Sequence, residues 1–475
     1  MNALGAFEAL PLLLIFLNLG ISPPAKAASN PEADVARFKA VYPRLDPGGV
    51  LYAYVSVDGD LAALGEWVEG IIGQVREKDP QQIPFPIDVS KLLQISGMDK
   101  VSAVGFSSKA TETGFRNKSF FYTPKGRSGL LRIFGGEPKP FEVVNLAPAG
   151  TEIAFQQELN LKVVYDIALE AAAAVMGDPG KAMVEAGVKQ PIPDVTFTME
   201  RVIRNLDTKL TVIIDADEKK KLEVPDEEFS IPFLSGAVMV DGLGWMADSF
   251  LLLAAEDEDS EPIREANWIG IRAKEEFPGD FSIYKPVILH HRPSGKLVVA
   301  THKDFAESLF APKPNLRDDP DFRKVMAGLP PKGNAMAYVA PGVFRMIRGV
   351  LAQAIETAPG PSEAAIASSV MDLFLPANLA GEGSVTTNLP DGILTTSNSS
   401  HSHKSNLLSA GLTGPMAMGM ATIMPMMAFG QSVEEADLIE EQVIEIEGLD
   451  DALDFPVGAG RGKAKPGEKF EKKGD

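Results

Sequence analysis

His401-Ser-His403 precedes a run of methionines, Met416, Met418, Met420, Met424, Met426 and Met427, and thioethers are soft ligands suited to Cu(I). The same methionines also serve as flexible apolar filler in a membrane or core segment, and their apolar flanks and prolines favour that reading over copper binding. His290, His291 and His302 form a second group. Adjacent strand residues point to opposite faces, so His290 and His291 cannot share one metal without a bulge. The acidic run Glu256-Asp-Glu-Asp259-Ser-Glu261 lacks the glycine turn and ligand spacing of a Ca²⁺ loop and reads as solvated charge. Leu210-Thr-Val-Ile-Ile214 leads into Asp215-Ala-Asp217, two carboxylates where an apolar strand ends, and Lys296 after Gly295 reads as a hairpin end. G-x-S-x-G, G-x-x-x-x-G-K-(S/T) and H-E-x-x-H do not occur. No catalytic residue, cofactor site or metal ligand is assigned, and a binding or structural role is favoured over an enzyme.

The Leu210 to Asp217 stretch resembles the opening of haloacid-dehalogenase-type phosphatases. That resemblance implies Asp215 as the group attacking phosphorus and Asp217 as the handler of the leaving-group proton, the basis of an alternative reading as an envelope hydrolase. Lys219 stands where that pattern has a hydroxyl residue, so a solvated turn is the favoured expectation.

The chain must position whatever it uses without cysteine, since Cys is 0 in 475 residues; disulfides, thiolate metal sites and thiol catalysis are excluded. Hydrophobic content of 45% excludes global disorder, and a net charge of −20 disfavours a nucleic-acid groove. Ala9 to Ile21 has the length of a signal-peptide core, and Ala25-Lys26-Ala27 supplies the small residues for cleavage, so residues 1–27 read as a signal peptide. Leu407 to Phe429 is an apolar run of 23 residues without a charge, long enough to cross a bilayer, although Pro415, Pro425 and the acids that follow do not orient it.

The most specific signal is a recurring pattern. Leu45-Asp-Pro47-Gly-Gly49-Val-Leu-Tyr52-Ala53-Tyr54 returns as Leu146-Ala-Pro148-Ala-Gly150-Thr-Glu-Ile153-Ala154-Phe155 and as Leu329-Pro-Pro331-Lys-Gly333-Asn-Ala-Met336-Ala337-Tyr338. Proline fixes φ, glycine permits the turn, and the apolar-Ala-aromatic triplet begins a strand. Helical periodicity follows each time, over Leu61 to Val75, Val163 to Val175 and Phe344 to Ile355. Strands are expected at Val101 to Ser107, Ser119 to Thr123, Leu130 to Phe134, Leu210 to Ile214, Gly236 to Val240 and Phe250 to Ala255. Hairpins join Val287 to His291 with Leu297 to Thr301, and Gly383 to Asn388 with Gly392 to Thr396.

The expected fold class is α+β: about three related units, each an antiparallel sheet with helices on one face, followed by a hydrophobic helix and a disordered tail. The expected ranges are 28–145, 146–328 with an insertion, and 329–403, then a hydrophobic segment 404–430 and an acidic, later Lys/Gly-rich tail 431–475. This pattern resembles a bacterial group of exported proteins of uncharacterised function built from repeated Leu-Pro-x-x-(Thr/Gly)-x-x-Ala-Tyr strand-helix units. Asp46 and Ala147 depart from it where a second proline is usual, and Gln156-Gln157 where an apolar strand would continue. The resemblance implies a location in the periplasm or cell envelope, with a protein, polymer or lipid partner and a membrane nearby.

Overall fold

The computed structural model describes residues 31–78, 88–192, 197–204, 207–224, 229–255, 259–274, 277–356 and 360–406. The expected signal peptide 1–27, the apolar segment Leu407 to Phe429, the methionine run and the tail lie outside the described residues, as do residues 256–258 of the acidic run. The first elements are α1 (Pro31–Val41), β1 (Leu51–Ser56), α2 (Asp60–Lys78), α3 (Val89–Ser96), β2 (Ala103–Thr111) and β3 (Gly114–Tyr122). There follow β4 (Lys139–Pro140), α4 (Val143–Leu146), β5 (Ile153–Asn160), α5 (Leu161–Met176), α6 (Asp178–Lys189), α7 (Met199–Arg204), β6 (Asp207–Glu223) and β7 (Ser230–Val240). Next come α8 (Gly244–Ala254), β8 (Ser260–Arg264), β9 (Trp268–Ala273), β10 (Val287–His291), β11 (Lys296–Ala300), α9 (Lys303–Phe310) and α10 (Pro320–Val325). The described chain closes with β12 (Lys332–Gly333), β13 (Ala335–Val339), α11 (Pro341–Glu356), α12 (Pro361–Phe374), β14 (Glu382–Leu389) and β15 (Gly392–Ser399).

The fold is α+β, built on one antiparallel sheet of 13 strands in the order β1-β2-β3-β15-β14-β13-β5-β6-β7-β11-β10-β9-β8. Three stretches follow one course, a strand, then helices, then a hairpin whose first arm pairs with that strand: Ala53 opposite Phe106, Ala154 opposite Ile213, Tyr338 opposite Gly383. They share a single sheet because β3 pairs with β15, Phe120 opposite Leu394, and β5 pairs with β13, Ala154 opposite Tyr338. The hairpin of β10 and β11 forms as expected and joins β7, extending the sheet.

Each recurring segment leads into a strand, β1, β5 or β13. Tyr54 and Tyr338 lie on the sheet's core face, but in the middle segment Ala154 occupies that face and Phe155 turns to the other, a phase difference of one residue. Gln156 explains the shift. Its side chain is 2% exposed, and its Oε1 accepts the backbone N–H groups of Glu142 at 2.8 Å and Val143 at 3.0 Å at the start of α4.

Two expected strands are replaced. Leu130 to Phe134 falls on a 3₁₀ turn at Gly129–Arg132, and Phe250 to Ala255 falls on α8, where Ala247 and Leu251 bury against Ile269 of β9. A short apolar run satisfies either period, and in α8 the burial of one helical face against the sheet decides. Helices also cover both faces rather than one. On the core face α4, α9 and α10 enclose Ala154, Ile213, Met239, Val298, Leu289 and Met336, with Phe305 and Leu309 of α9 and Phe322 of α10 between them. On the other face α8 lies against β9 and β11. Strands such as Leu210 to Ile214 are apolar on both sides and so require cover on both.

Candidate functional site

Asp215 and Asp217 do not end a strand, since β6 runs on to Glu223 with a register shift between Asp217 and Lys221. Asp217 is exposed, and its Oδ1 accepts the Lys219 N–H at 3.0 Å, so that carboxylate closes its own bulge. Asp215 is half-buried. Burial raises its pKa, opposed by the Thr151 hydroxyl and the charge of Lys313. Glu152 is raised too, first by burial, then by the charges of Glu218 and Asp215, against Arg345 and the Val343 N–H. Lys313 donates to the Ser308 carbonyl, and burial lowers its pKa to about 8 despite Asp215. Asp215 thus feels a hydroxyl, an ammonium and a second carboxylate at once: Thr151 and Lys313 favour its charged form, while Glu152 and Asp215 repel one another.

That lysine yields a pH prediction. Its folded pKa lies below its ordinary 10.5, so between about 8 and 10.5 the unfolded chain binds more protons and stability rises with pH across that window. Urea-unfolding midpoints measured through this range should climb less steeply in Lys313→Met than in the parent. Equal slopes would assign the dependence to other groups.

The histidines separate as strand alternation requires. His290 Nδ1 meets Asp248 Oδ1 of α8 at 2.5 Å, with Arg292 on the other carboxylate oxygen at 3.1 Å. His291, on the opposite face, meets the Ser294 hydroxyl at 2.8 Å and lies 3.9 Å from the Phe310 ring. His302 meets its neighbour Thr301 and stacks near Phe233 and Phe305. His403 lies against Phe106, its pKa lowered by burial, while the carbonyl of His401 accepts from Asn117 and Ser399. Glu261 of the acidic run pairs with Arg272 at 3.0 Å. Among the described residues no three His, Asp or Glu side chains form a metal-binding group.

Lys296 is no simple hairpin end. It is 7% exposed and binds Asp241 and, at 3.2 Å, Glu142; Lys209 binds Glu142 at 2.5 Å and Asp241 at 3.4 Å. These two lysines and two carboxylates neutralise one another beneath the start of α4. Burial alone would raise Glu142, but the Lys209 hydrogen bond and the two ammonium charges hold it below the ordinary carboxylate range. The sequence signal was parity: Lys296 shares a face with Val298 and Ala300, both buried.

The sheet face opposite the core is also largely apolar. Core-face residues Ala154, Ile213, Met239, Val298 and Leu289 are 0% exposed. Their neighbours on the other face are equally apolar yet not sealed: Ile153, Phe155 and Leu159 on β5, Leu210, Val212 and Ile214 on β6, Val238 and Val240 on β7, and Ala337 and Val339 on β13 are half-buried. Ile288 and Val299, directly opposite each other on β10 and β11, are 36% and 43% exposed. A cleft of about 520 Å³ lies elsewhere, between the β2–β3 turn and α10, and is lined by polar groups including Glu112, Asp321, Lys324 and Asn378. Among the described residues no helix is long and apolar enough to cross a membrane. No protein-family model matches the chain, and neither the curated proteins nor the solved structures contain a significant match.

Proposed function

We propose that the chain is a non-catalytic, exported and membrane-associated envelope protein that holds an aliphatic chain, such as the acyl chain of a lipid, on the half-open sheet face. Of three related strand-helix-hairpin units, beginning at Leu45, Leu146 and Leu329, the second and third would supply that face, through β5, β6, β7, β10, β11 and β13. The observation that carries the reading is the difference between two equally apolar faces of the same strands, one closed to solvent and the other half-buried from β13 through β7. Half-buried apolar side chains with few polar groups among them favour a thin aliphatic occupant over a folded partner or a polar substrate. The phosphatase-like reading has less support, because Asp217 is exposed and its carboxylate is committed to the bulge through the Lys219 N–H.

The test is displacement of a fluorescent fatty-acid analogue, with mass spectrometry of an organic extract of the purified protein. Ile288→Glu and Val299→Glu alter exposed positions and should leave the fold intact. Each removes apolar contact worth about 1.5–3 kcal/mol, so the analogue should bind roughly tenfold more weakly or worse. Binding unchanged in both variants, or no binding by the parent, overturns the proposal.

A further inference from the structure

The two margins of the sheet are built differently. At one, β8 carries Glu261, Pro262 and Arg264, residues that discourage pairing. At the other, β1 reads Leu-Tyr-Ala-Tyr-Val-Ser, with neither charge nor proline, and among the described residues no strand pairs with its outer side. β5 and β13, which follow the corresponding segments, are flanked on both sides and pair with each other, Tyr338 opposite Ala154 and Val339 opposite Ile153.

The flank of β1 is unfinished in the same sense. Phe38 lies seven residues before Leu45, as Phe322 does before Leu329. Each sets its ring edge-on to the tyrosine of the following strand, Phe38 to Tyr54 at 5.3 Å and Phe322 to Tyr338 at 5.1 Å. Phe322 is 9% exposed, whereas Phe38 is 38% exposed. Val35, Tyr42, Val50 and Val55 around the same margin are also exposed.

We infer that β1 is an interaction surface for a second copy of this chain, joined antiparallel across a twofold axis so that one sheet runs through both molecules. The internal pairing of β5 with β13 supplies the precedent for joining first strands, and a second copy brings an apolar margin of the same kind to cover Phe38 and Tyr42. A twofold axis perpendicular to the sheet opposes residues of like parity, so Tyr52 and Tyr54 continue the core-facing row while Ala53 and Val55 meet their counterparts on the other face. This inference does not depend on the ligand proposed above.

The experiment is sedimentation equilibrium of the full chain in mild detergent, with Val55→Lys as the probe. Val55 is half exposed, so the variant should melt like the parent yet dimerise at least tenfold more weakly. Because the chain has no cysteine, Ala53→Cys and Val55→Cys each introduce a single thiol. Under oxidation one of them, or an equimolar mixture of the two where the axis passes at Tyr54, should give a disulfide-linked dimer, since such bonds require Cα atoms within about 7 Å. Val370→Cys, an exposed position on α12, should not. A monomer at every concentration, a monomer whose β1 retains a foreign peptide, or a dimer indifferent to Val55→Lys and uncrosslinked through β1 overturns the inference.

Discussion

Lys296→Ala should lower the free energy of unfolding by about 2–3 kcal/mol, less than the cost of breaking a fully buried pair because its carboxylate partners are partly exposed and keep Lys209. Lys296 is 7% exposed, and without it Asp241 and Glu142 keep only Lys209 between them. Replacing the more exposed Glu142 by Gln should cost less, because its side chain is half exposed and water can compensate. Lys296→Met combined with Asp241→Leu should cost less than Lys296→Met alone, since an apolar pair leaves no carboxylate uncompensated at that corner. Urea titrations of the variants measure all three. A Lys296→Ala cost below about 1 kcal/mol would mean that the ammonium is solvated and that the network contributes little.

The legible parts of the fold were those with a local physical signature. The helices after Tyr54, Phe155 and Tyr338 showed in apolar spacing, the hairpin around Ser294 in its turn residues, and the three strand starts in their Pro, Gly and aromatic positions. What escaped depended on partners distant in sequence. Phe250 to Ala255 is apolar enough for a strand or a buried helix, and only the surface formed by Ile269, Ile271 and Leu297 selects α8. Gln156 looked like a defect in an apolar strand, yet it caps α4, which precedes it by about ten residues. Nothing local to Asp215 announces Lys313, nearly a hundred residues away, so the pair of aspartates was visible while its electrostatic setting was not.

The difference between the two sheet faces belongs to the same class. A near-continuous apolar run such as Leu210 to Ile214 marks a strand with apolar residues on both sides, and that pattern predicts cover on both. Which side is sealed depends on how completely the helices fit, and helix fit is a property of the assembled layers. The short helices α4, α9 and α10 send phenylalanine, valine and leucine into the core face, whereas on the other face α8 covers β9 and β11 and leaves Ile288 and Val299 exposed. A candidate site made of incomplete cover leaves no motif, which is why the catalytic patterns led elsewhere.

Asn334→Leu should destabilise the chain by about 3 kcal/mol, more than the small volume change would indicate. Asn334 is 0% exposed and works through every polar atom of its side chain. Its Nδ2 donates to the Gly136 carbonyl at 3.1 Å and to Glu158 Oε2 at 3.2 Å, and its Oδ1 accepts the Asn388 N–H at 2.9 Å. Asn388 in turn donates to the carbonyls of Phe134, Gly135 and Gly136, so the two side chains fasten the stretch before β4 to β13 and β14. Leucine would leave the Asn388 N–H and one oxygen of a 7% exposed carboxylate without this partner, and each buried polar group so stranded costs about 1–3 kcal/mol. Asn388→Leu should cost a comparable amount, and the double variant less than the sum, because both substitutions break the same connection to Gly136. Gly135, at φ 80°, closes the network from the other side: a Cβ there would approach Glu158 Cβ to 2.7 Å, so Gly135→Ala should lower the unfolding midpoint as well. Strict additivity of the two asparagine variants would show that they act separately and would dismantle the network as a unit.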